Sequence, residues 1–323
     1  MEEETAPTGA DWSPPPLPNE IYRLIISQLD ISQVNDFDDS RRTTLVAVVC
    51  SCKLFNRIGE EYLYSQSPRF FDEDEKAEGF LRSLRLQPRR ALYVRSLEYG
   101  YDDLTKLSMQ CSNLEELKLW RTLTLSGDLE QACKNWGSTL RLLKVRSIEE
   151  ISDWIVQIMP HMTALTTLVL DRGCTSSWED IQAIAESKAP LQQITLSGLW
   201  CSQDRSADDE SERDGPEDEE ADEETNEAIT NMVTAHSSTL RHLGLEFTKV
   251  GPLVLESCKK AKKLRTLDFQ LAYAPSAAEI DELLDACPDL TDCTGMFAFF
   301  SLRGDEWRAR PMPEEEPEET FRE

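Results

Sequence analysis

Apolar residues recur at a fixed short spacing in the stretch Cys111 to Trp120, which reads Cys-Ser-Asn-Leu-Glu-Glu-Leu-Lys-Leu-Trp. Its anchors, Leu114, Leu117 and Leu119, follow the pattern Leu-x-x-Leu-x-Leu. Alternate residues of a strand point to the same side, so this spacing predicts a strand with one buried face. The anchor pattern returns in five further copies: Leu140, Leu143, Val145; Leu165, Leu168, Leu170; Leu191, Ile194, Leu196; Leu240, Leu243, Leu245; and Leu264, Leu267, Phe269.

Weaker copies begin at Val94 and Leu290, so successive first anchors are 20, 26, 25, 26, 49, 24 and 26 residues apart. An interval near 26 residues predicts stacked units, none of which can bury its apolar face alone. The pattern is that of a leucine-rich repeat. We therefore predict an α/β fold in which a right-handed leucine-rich-repeat solenoid spans residues 92–302, with parallel strands inside and helices outside.

Helices are predicted between the strands by apolar residues at helical spacing, as in the stretch from Ile151 to Ile158. Two of these helices also have a start signal. Ser177 with Asp180, and Ser276 with Glu279, have the spacing of residues that cap a helix N-terminus.

The 49-residue interval exceeds one period by 23 residues, which is the length of the run from Asp204 to Asn226. This run is strongly acidic, and we predict that it is a disordered insert in one repeat. Two roles remain open for it. It is either a solvated loop or a binding segment for a basic partner such as histones.

The formal charge of −27 is concentrated in three segments. Residues 1–16 hold four acids and no base, residues 204–227 hold 14 acids and two Arg, and residues 311–323 hold six acids and one Arg, which leaves only −6 for the rest. We interpret residues 1–16 as a disordered leader and residues 303–323 as an acidic tail. The overall charge disfavours nucleic acid as a partner.

Signals of catalysis or of a cofactor are missing from the sequence. Its three His and nine Cys show no metal-ligand spacing, and there is no phosphate-binding glycine loop and no nucleophile elbow. We therefore expect no catalytic residue, no metal and no cofactor. Free thiols without an apolar leader favour a reducing compartment, the cytoplasm or nucleus, and no apolar run is long enough to cross a membrane.

Two amphipathic segments precede the repeats. The first places apolar residues at helical spacing between Leu17 and Leu29, with Pro18 suited to a first helical turn. In the second segment, a stripe of apolar residues at helical spacing predicts one further helix that ends near residues 62–64. This stripe consists of Leu45, Val48, Val49, Cys52, Phe55 and Ile58.

At these residues the sequence resembles the F-box, whose pattern is Leu-Pro-x-Glu-Ile-x-x-x-Ile-x-x-x-Leu and then, after a link, Leu-x-x-Val-Cys-x-x-Phe. Two departures affect the second half. The link from Asp30 to Thr44 is longer than usual, and one extra residue precedes the aromatic residue. The first half is filled by Leu17, Pro18, Glu20, Ile21, Ile25 and Leu29, and the second is approximated by Leu45, Val49, Cys50 and Phe55.

The resemblance extends to residues 79–97, which look like the segment that joins F-box to repeats in fungal F-box proteins with leucine-rich repeats. It implies an F-box-like helical hairpin at residues 17–64, a helical linker at 65–91, and docking on the Skp adaptor of a cullin-RING ubiquitin ligase. The alternative is a helical cap for the repeats. The implied adaptor-binding residues are Leu17, Pro18, Ile21, Ile25, Leu29, Leu45, Val49 and Phe55.

The strand residues between the anchors point away from the core and predict a binding face. Adjacent strands place Lys118, Trp120, Lys144 and Arg146 together as a basic, aromatic patch, our candidate substrate-binding residues. The alternative is that these cations pair with Glu116 and Asp171 or with the acidic insert itself. Two functions follow: a substrate-recognition subunit that holds a protein substrate, or an acidic leucine-rich-repeat protein that binds basic partners outside ubiquitin transfer.

Overall fold

The computed structural model describes residues 18–28, 39–65, 69–70, 74–99, 104–120, 126–146, 154–171, 177–197, 223–273, 275–294 and 300–301. Its chain divides into two compact units, residues 1–66 and residues 67–323.

The first unit is helical. Helices α2 and α3 pack against each other, and α1 packs against α3. Gly59 allows the close approach of α2, because a Cβ atom at this position would lie 2.5 Å from Val49 Cγ2. The core consists of Ile26, Leu45, Val49 and Ile58. The helices are α1 (Asn19–Ser27), α2 (Asp39–Ser51) and α3 (Lys53–Ser65).

The single helix predicted from Leu45 to residues 62–64 is corrected to two helices that meet at Cys52. The Cys52 carbonyl accepts the N–H of Asn56 at 2.9 Å, and its Sγ atom accepts the N–H of Phe55 at 3.5 Å. Cys52 thus occupies the N-terminal capping position of α3. The apolar spacing continues across the break, which is why the sequence pattern did not reveal it.

In the described residues of the second unit, ten strands form a single sheet, and their order in the sheet is their order in the chain. All neighbours pair in parallel except the last two, which are antiparallel. The strands are β1 (Arg69–Phe70), β2 (Ser96–Tyr99), β3 (Glu116–Trp120), β4 (Leu142–Arg146), β5 (Thr167–Leu170), β6 (Gln193–Ser197), β7 (His242–Val250), β8 (Thr266–Leu271), β9 (Asp292–Thr294) and β10 (Phe300–Ser301).

A helix connects most successive strands. Neighbouring helices contact one another from α5 through α11, so they form one continuous layer. Short 3-10 helices at Pro88–Tyr93 and Met159–His161 complete two connections. The parallel strands and outer helices that the repeat predicts are therefore confirmed. The helices are α4 (Asp74–Leu86), α5 (Leu104–Gln110), α6 (Ser126–Trp136), α7 (Trp154–Ile158), α8 (Trp178–Glu186), α9 (Glu223–His236), α10 (Pro252–Cys258) and α11 (Ala277–Ala286).

The repeat anchors lie in register across the sheet. Leu117 pairs with Leu97 of the preceding strand and with Leu143 of the following one, and the next anchors, Leu119 and Val145, also pair. Side chains at these positions are fully buried. The row of middle anchors runs through Leu97, Leu117, Leu143, Leu168, Ile194, Leu243, Leu267 and Cys293.

A backbone ladder fixes this register at the start of each strand. The carbonyl of Glu115 accepts two consecutive N–H groups of the next repeat, those of Arg141 and Leu142, at 2.7 and 3.0 Å. The same two-donor arrangement recurs at each step from β2 to β9. The accepting carbonyls belong to Arg95, Glu115, Arg141, Thr166, Gln192, Arg241 and Arg265.

The predicted helix caps are confirmed. Ser177 Oγ accepts the N–H of Asp180, and the Asp180 carboxylate accepts the N–H of Ser177. Ser276 and Glu279 form the same reciprocal pair at the start of α11. Each pair satisfies two backbone donors that the helix itself leaves without acceptors.

Two boundaries differ from those expected. The strand β1 lies inside the predicted helical linker, since a two-residue strand is too short to show the anchor pattern. The predicted insert was to extend to Asn226, whereas α9 begins at Glu223. Thr225 is buried and Asn226 Oδ1 accepts the N–H of Gly251 at 2.8 Å, so these residues belong to the repeat. Residues 204–222, the leader and residues 302–323 lie outside the described residues.

The edge formed by the helix C-termini and the starts of the strands also carries buried side-chain hydrogen bonds. Trp136 Nε1 donates to the carbonyl of Cys111 at 2.8 Å, and His236, one hundred residues later at the same repeat position, places Nε2 at 2.9 Å from the carbonyl of Ile184. Both side chains are buried. These two side chains link the C-terminal ends of α6 and α9 to the repeat that precedes each helix.

We predict that Gly137→Ala destabilises the protein by about 1 to 3 kcal/mol. A Cβ atom at Gly137 would lie 2.0 Å from the His161 carbonyl oxygen, and the Gly137 carbonyl accepts the N–H of Ala164 at 3.1 Å. The matched control is Gly79→Ala in α4, where an added Cβ meets nothing within 4 Å. Urea unfolding should show a lower midpoint for the first variant only, and equal midpoints would contradict the close approach.

Stability should fall on mild acidification because of His236. Burial lowers the pKa of its imidazole below the ordinary value of 6.5, so the unfolded chain binds a proton that the folded chain does not. His236 therefore favours folding above its unfolded pKa and loses this effect as the pH falls toward its folded pKa. The loss is up to about 1.4 kcal/mol per pH unit. Urea unfolding of the wild type and His236→Gln between about pH 7 and pH 5.5 should show the steeper decline in the wild type. Equal slopes would contradict this assignment.

Candidate functional site

The sheet has one open face. Along β3 and β4 burial alternates, with fully buried anchors on the helix side and half-buried side chains on the other. No helix of the described residues covers the second set, which includes Glu116, Lys118 and Trp120 on β3. The residues between the anchors are therefore available to a partner, as the alternation of strand side chains predicts.

Lys118, Trp120, Lys144 and Arg146 lie together on this open face. The register pairs Lys118 with Lys144 and Trp120 with Arg146 across adjacent parallel strands. Parallel neighbours are about 4.8 Å apart, so the four side chains share one patch. We refer to these four residues as the strand patch.

Arg146 is the centre of the strand patch. Its guanidinium carbon lies 4.3 Å from the centroid of the Trp120 ring, which is cation–π geometry. Its Nε atom also donates to Asp171 Oδ2, and Lys144 Nζ lies 3.8 Å from the same oxygen. The stack holds the indole and the guanidinium plane in a fixed arrangement.

Of the two acids considered as internal partners, Asp171 contacts the strand patch directly. Glu116 instead accepts a hydrogen bond from Ser96 Oγ at 3.0 Å. Asp171 therefore neutralises part of the positive charge on Lys144 and Arg146. Both pairs are partly solvent-exposed, so each is worth no more than about 1 kcal/mol. A stronger anion from a partner could replace this carboxylate at small cost.

The rest of the open face changes character along the sheet. Thr167, Val169, Gln193 and Thr195 give β5 and β6 an uncharged surface. On β7 the face is flattened by Gly244, where an added Cβ would lie 3.2 Å from Thr195 Cγ2.

The last described strands make the end of the face acidic. His242 Nδ1 lies 2.8 Å from Thr266 Oγ1 on β8, and exposed Asp268 and Asp292 follow. The face thus runs from a start where Glu98 and Glu116 accompany the basic, aromatic strand patch to an acidic end.

A second candidate surface lies on α1. Ile21, Leu24 and Ile25 are 40%, 58% and 45% exposed and lie at i, i+3 and i+4, so they form one apolar stripe. The other side of the helix packs inward: Ile26 is fully buried and the Tyr22 ring meets Phe55 edge-on, with centroids 5.5 Å apart. Helix α1 is therefore apolar on both its buried and its exposed side.

The predicted adaptor-binding residues divide into three groups. Pro18 precedes α1 and is exposed, as are Ile21 and Ile25. Leu45 and Val49 are in the core of the first unit, and Phe55 is half-buried against that core. Leu45 and Val49 lie beneath the surface of the free chain, where they hold α2 in the core, and their role in adaptor binding stays a prediction. Leu17 and Leu29 lie outside the described residues.

Three exposed apolar side chains were not among the predicted contact residues. Leu24 lies between Ile21 and Ile25 on the stripe, and Val46 and Leu54 are 39% and 37% exposed on α2 and α3. Helical spacing already placed Leu24 with its neighbours. The apolar spacing in the sequence did not mark Val46 and Leu54 as exposed, because the break at Cys52 changes which side of each helix faces the core.

Cys111 is a buried core residue, and burial raises the pKa of its thiol to about 12. Half-buried Cys293 has a thiol pKa that burial raises to about 11, so both thiols stay protonated at neutral pH. Within the described part of the chain, no three His, Cys, Asp or Glu side chains are grouped so as to hold a metal ion. Among the same residues, no helix has both the length and the hydropathy needed to cross a bilayer.

Comparison with known proteins returned no matching family model and no matching curated protein. Among solved structures, the chain is similar to the crystal structure of an internalin (inlF) from Listeria monocytogenes str. 4b F2365, with 12% sequence identity and a TM-score of 0.34. The match covers 64% of this chain and 49% of that chain, so the chain spans about half the length of the internalin. This similarity is too weak to assign a fold or a function, and the fold is defined by the sheet and helices of this chain.

We predict that Trp120 and Arg146 are energetically coupled by about 0.5 to 1 kcal/mol. Unfolding free energies should be measured for Trp120→Leu, Arg146→Met and the double variant. The double variant should lose less than the sum of the two single variants, because either change alone already removes the stack. A control cycle with Lys144→Met, whose recorded partner is Asp171, should give a smaller coupling. Additive losses for Trp120 and Arg146 would show that the stack contributes nothing.

Proposed function

We propose that this protein is the substrate-recognition subunit of a cullin-RING (SCF-type) ubiquitin ligase. The exposed apolar stripe on α1 is the observation that carries this proposal. Ile21 and Ile25 on this stripe fill apolar positions of the F-box pattern, and the pattern precedes a leucine-rich-repeat unit. An apolar stripe left exposed on a well-packed helix marks a protein-interaction surface.

The Skp adaptor is the proposed occupant of this stripe. An amphipathic helix presents its apolar side to a partner groove through residues at i, i+3 and i+4. Here those residues are Ile21, Leu24 and Ile25, with exposed Pro18 at the start of the helix. Leu45 and Val49 contribute from below, since they hold α2 in the core of the same unit.

The substrate is proposed to bind the open face of the sheet, beginning at the strand patch. Trp and Arg are frequent hot spots in protein interfaces, and here the two are stacked before any partner arrives. The protein then acts by proximity, because it holds a bound substrate near the transferring enzyme. No catalytic residue of this chain is required.

The alternative function, an acidic protein for basic partners such as histones, depends on residues 204–227. Residues 204–222 of this segment lie outside the described residues, and residues 223–227 belong to α9. No observation on the described residues favours this alternative over adaptor docking.

We predict that Ile21→Asp/Ile25→Asp abolishes a stoichiometric complex with the Skp adaptor, weakening it at least about 100-fold, because two charges are placed in an apolar contact. Full-length wild type and variant should be co-purified with the adaptor, and circular dichroism should verify folding. The matched control is Met109→Asp/Leu253→Asp, two residues that are 70% and 64% exposed on helices of the second unit. The control should retain binding.

Two results would contradict the assignment. If wild type forms no complex with the adaptor, the F-box function is excluded. If the stripe variant binds as well as the control variant, the exposed side of α1 is not the docking surface.

A further inference from the structure

A group of exposed cations lies at the turn between α10 and β8, on the edge of the sheet where the strands begin. Lys260, Lys262, Lys263 and Arg265 fall within six residues, and all are exposed. The turn is closed by backbone hydrogen bonds, from the N–H of Lys262 to the Lys260 carbonyl at 3.2 Å and from Leu264 to Ala261 at 2.9 Å. The buried repeat positions Ala261 and Leu264 force the intervening basic side chains outward.

Arg241 joins this group from the neighbouring repeat. The N–H of Arg265 donates to the Arg241 carbonyl at 2.7 Å, so the two arginines stand side by side at the starts of β7 and β8. We refer to Arg241, Lys260, Lys262, Lys263 and Arg265 as the turn patch. The positive charge of the turn patch also acts on His242. The pKa of this imidazole is lowered first by burial and then by the charges of Arg265 and Arg241.

The turn patch makes no direct ion pair within the described part of the chain. Neighbouring Lys259 is paired, since its Nζ atom lies 2.5 Å from Glu256 and 2.6 Å from Glu282. For the five residues of the turn patch, no acidic side chain among the described residues lies within ion-pair distance. Like charges held together repel, and this repulsion is relieved when an anion binds.

The surroundings limit what kind of anion fits. On one side of the turn patch, the N–H of exposed Asp292 donates to the Arg265 carbonyl at 3.1 Å, and exposed Asp289 lies three residues before it in sequence. On the other side, the carbonyl of uncharged Gln192 accepts the N–H of Arg241 at 2.7 Å. A nucleic acid duplex carries one charge per about 1.7 Å over a long stretch and would meet these acids within a Debye length of about 8 Å. A short anionic segment places only a few charges near these acids, whereas a duplex places many there and along the rest of the acidic chain. The chain's charge of −27 acts against an extended polyanion in the same way.

We propose that the turn patch binds a short acidic peptide segment of a protein partner, with phosphoserine residues in that segment strengthening the contact. Lysine and arginine side chains bind carboxylates and phosphates through charge-assisted hydrogen bonds, and phosphates supply more charge per residue. The turn patch lies on the sheet edge and shares no residue with the strand patch or with the exposed stripe of α1. Peptide binding at the turn patch therefore does not require the proposed role in ubiquitin transfer, and it is tested separately.

The test uses the full-length protein and a fluorescein-labelled peptide of roughly a dozen residues that contains glutamates and two phosphoserines; a peptide with glutamine and serine at these positions is the uncharged probe. Fluorescence anisotropy at low and physiological ionic strength measures binding. We expect the phosphorylated probe to bind, with weaker binding at higher salt. Failure of the wild type to bind it would overturn the proposal, as would equal binding of the uncharged probe.

The matched variants are Lys262→Glu/Lys263→Glu in the turn patch and Arg82→Glu/Arg85→Glu on α4, which change the net charge equally at exposed positions. The first should weaken binding at least about tenfold and the second less than about twofold, because charge reversal acts at short range. Equal losses in both variants would show that binding depends only on the overall charge and would overturn the site. Circular dichroism should show that both variants remain folded.

Two further measurements identify the ligand class and its place. A bound anion should raise the pKa of His242, measured by NMR, since it offsets the charges of Arg241 and Arg265, while His236 should not respond. An unchanged His242 would contradict binding at the turn patch. A labelled single-stranded oligonucleotide that binds as tightly as the phosphorylated probe, with the same loss in Lys262→Glu/Lys263→Glu, would overturn the assignment to a peptide.

Discussion

The second unit depends on one constraint, which is that an anchor side chain is buried only if the repeats on both sides are in register with it. Leu117 is covered from the side by Leu97 and Leu143, and no single repeat has enough apolar surface to do this alone. The backbone ladder enforces the register, because each carbonyl at a strand start accepts two N–H groups of the next repeat. Burial of side chains and pairing of backbone groups thus require the same alignment.

This constraint leaves two surfaces free for function. The anchors use every second strand residue, so the residues between them form the open face that holds Trp120 and Arg146. The turns use their small and apolar residues for closure, so the remaining residues, such as Lys262 and Lys263, point outward. A repeat protein can therefore change these positions without disturbing its core, and chemistry that is absent from the core collects there.

The first unit solves a different problem. In the part of this unit that the structure describes, three short helices bury a small core, to which α1 contributes Ile26 and part of Tyr22. The remaining apolar side chains of α1 stay exposed. A helix whose inner side already packs has no structural need for Ile21, Leu24 and Ile25 on its outer side. The exposed stripe therefore indicates a surface for a protein partner. Its partner remains a proposal, whereas its position is a property of the fold.

The sequence by itself determined strands β2 to β9, their spacing, the anchor positions and two helix caps, because side-chain alternation and capping depend on residues close together in the chain. It also placed Lys118, Trp120, Lys144 and Arg146 on one patch, since equal repeat lengths imply equal register. Tertiary structure alone decided the rest. Packing of α2 on α3 turned one apolar stripe into two helices at Cys52, and strand β1 is defined by backbone pairing. Pairing across repeats also placed Asp171 against Arg146, Glu282 against Lys259 and Arg241 beside Arg265, because such contacts join residues that are distant in sequence.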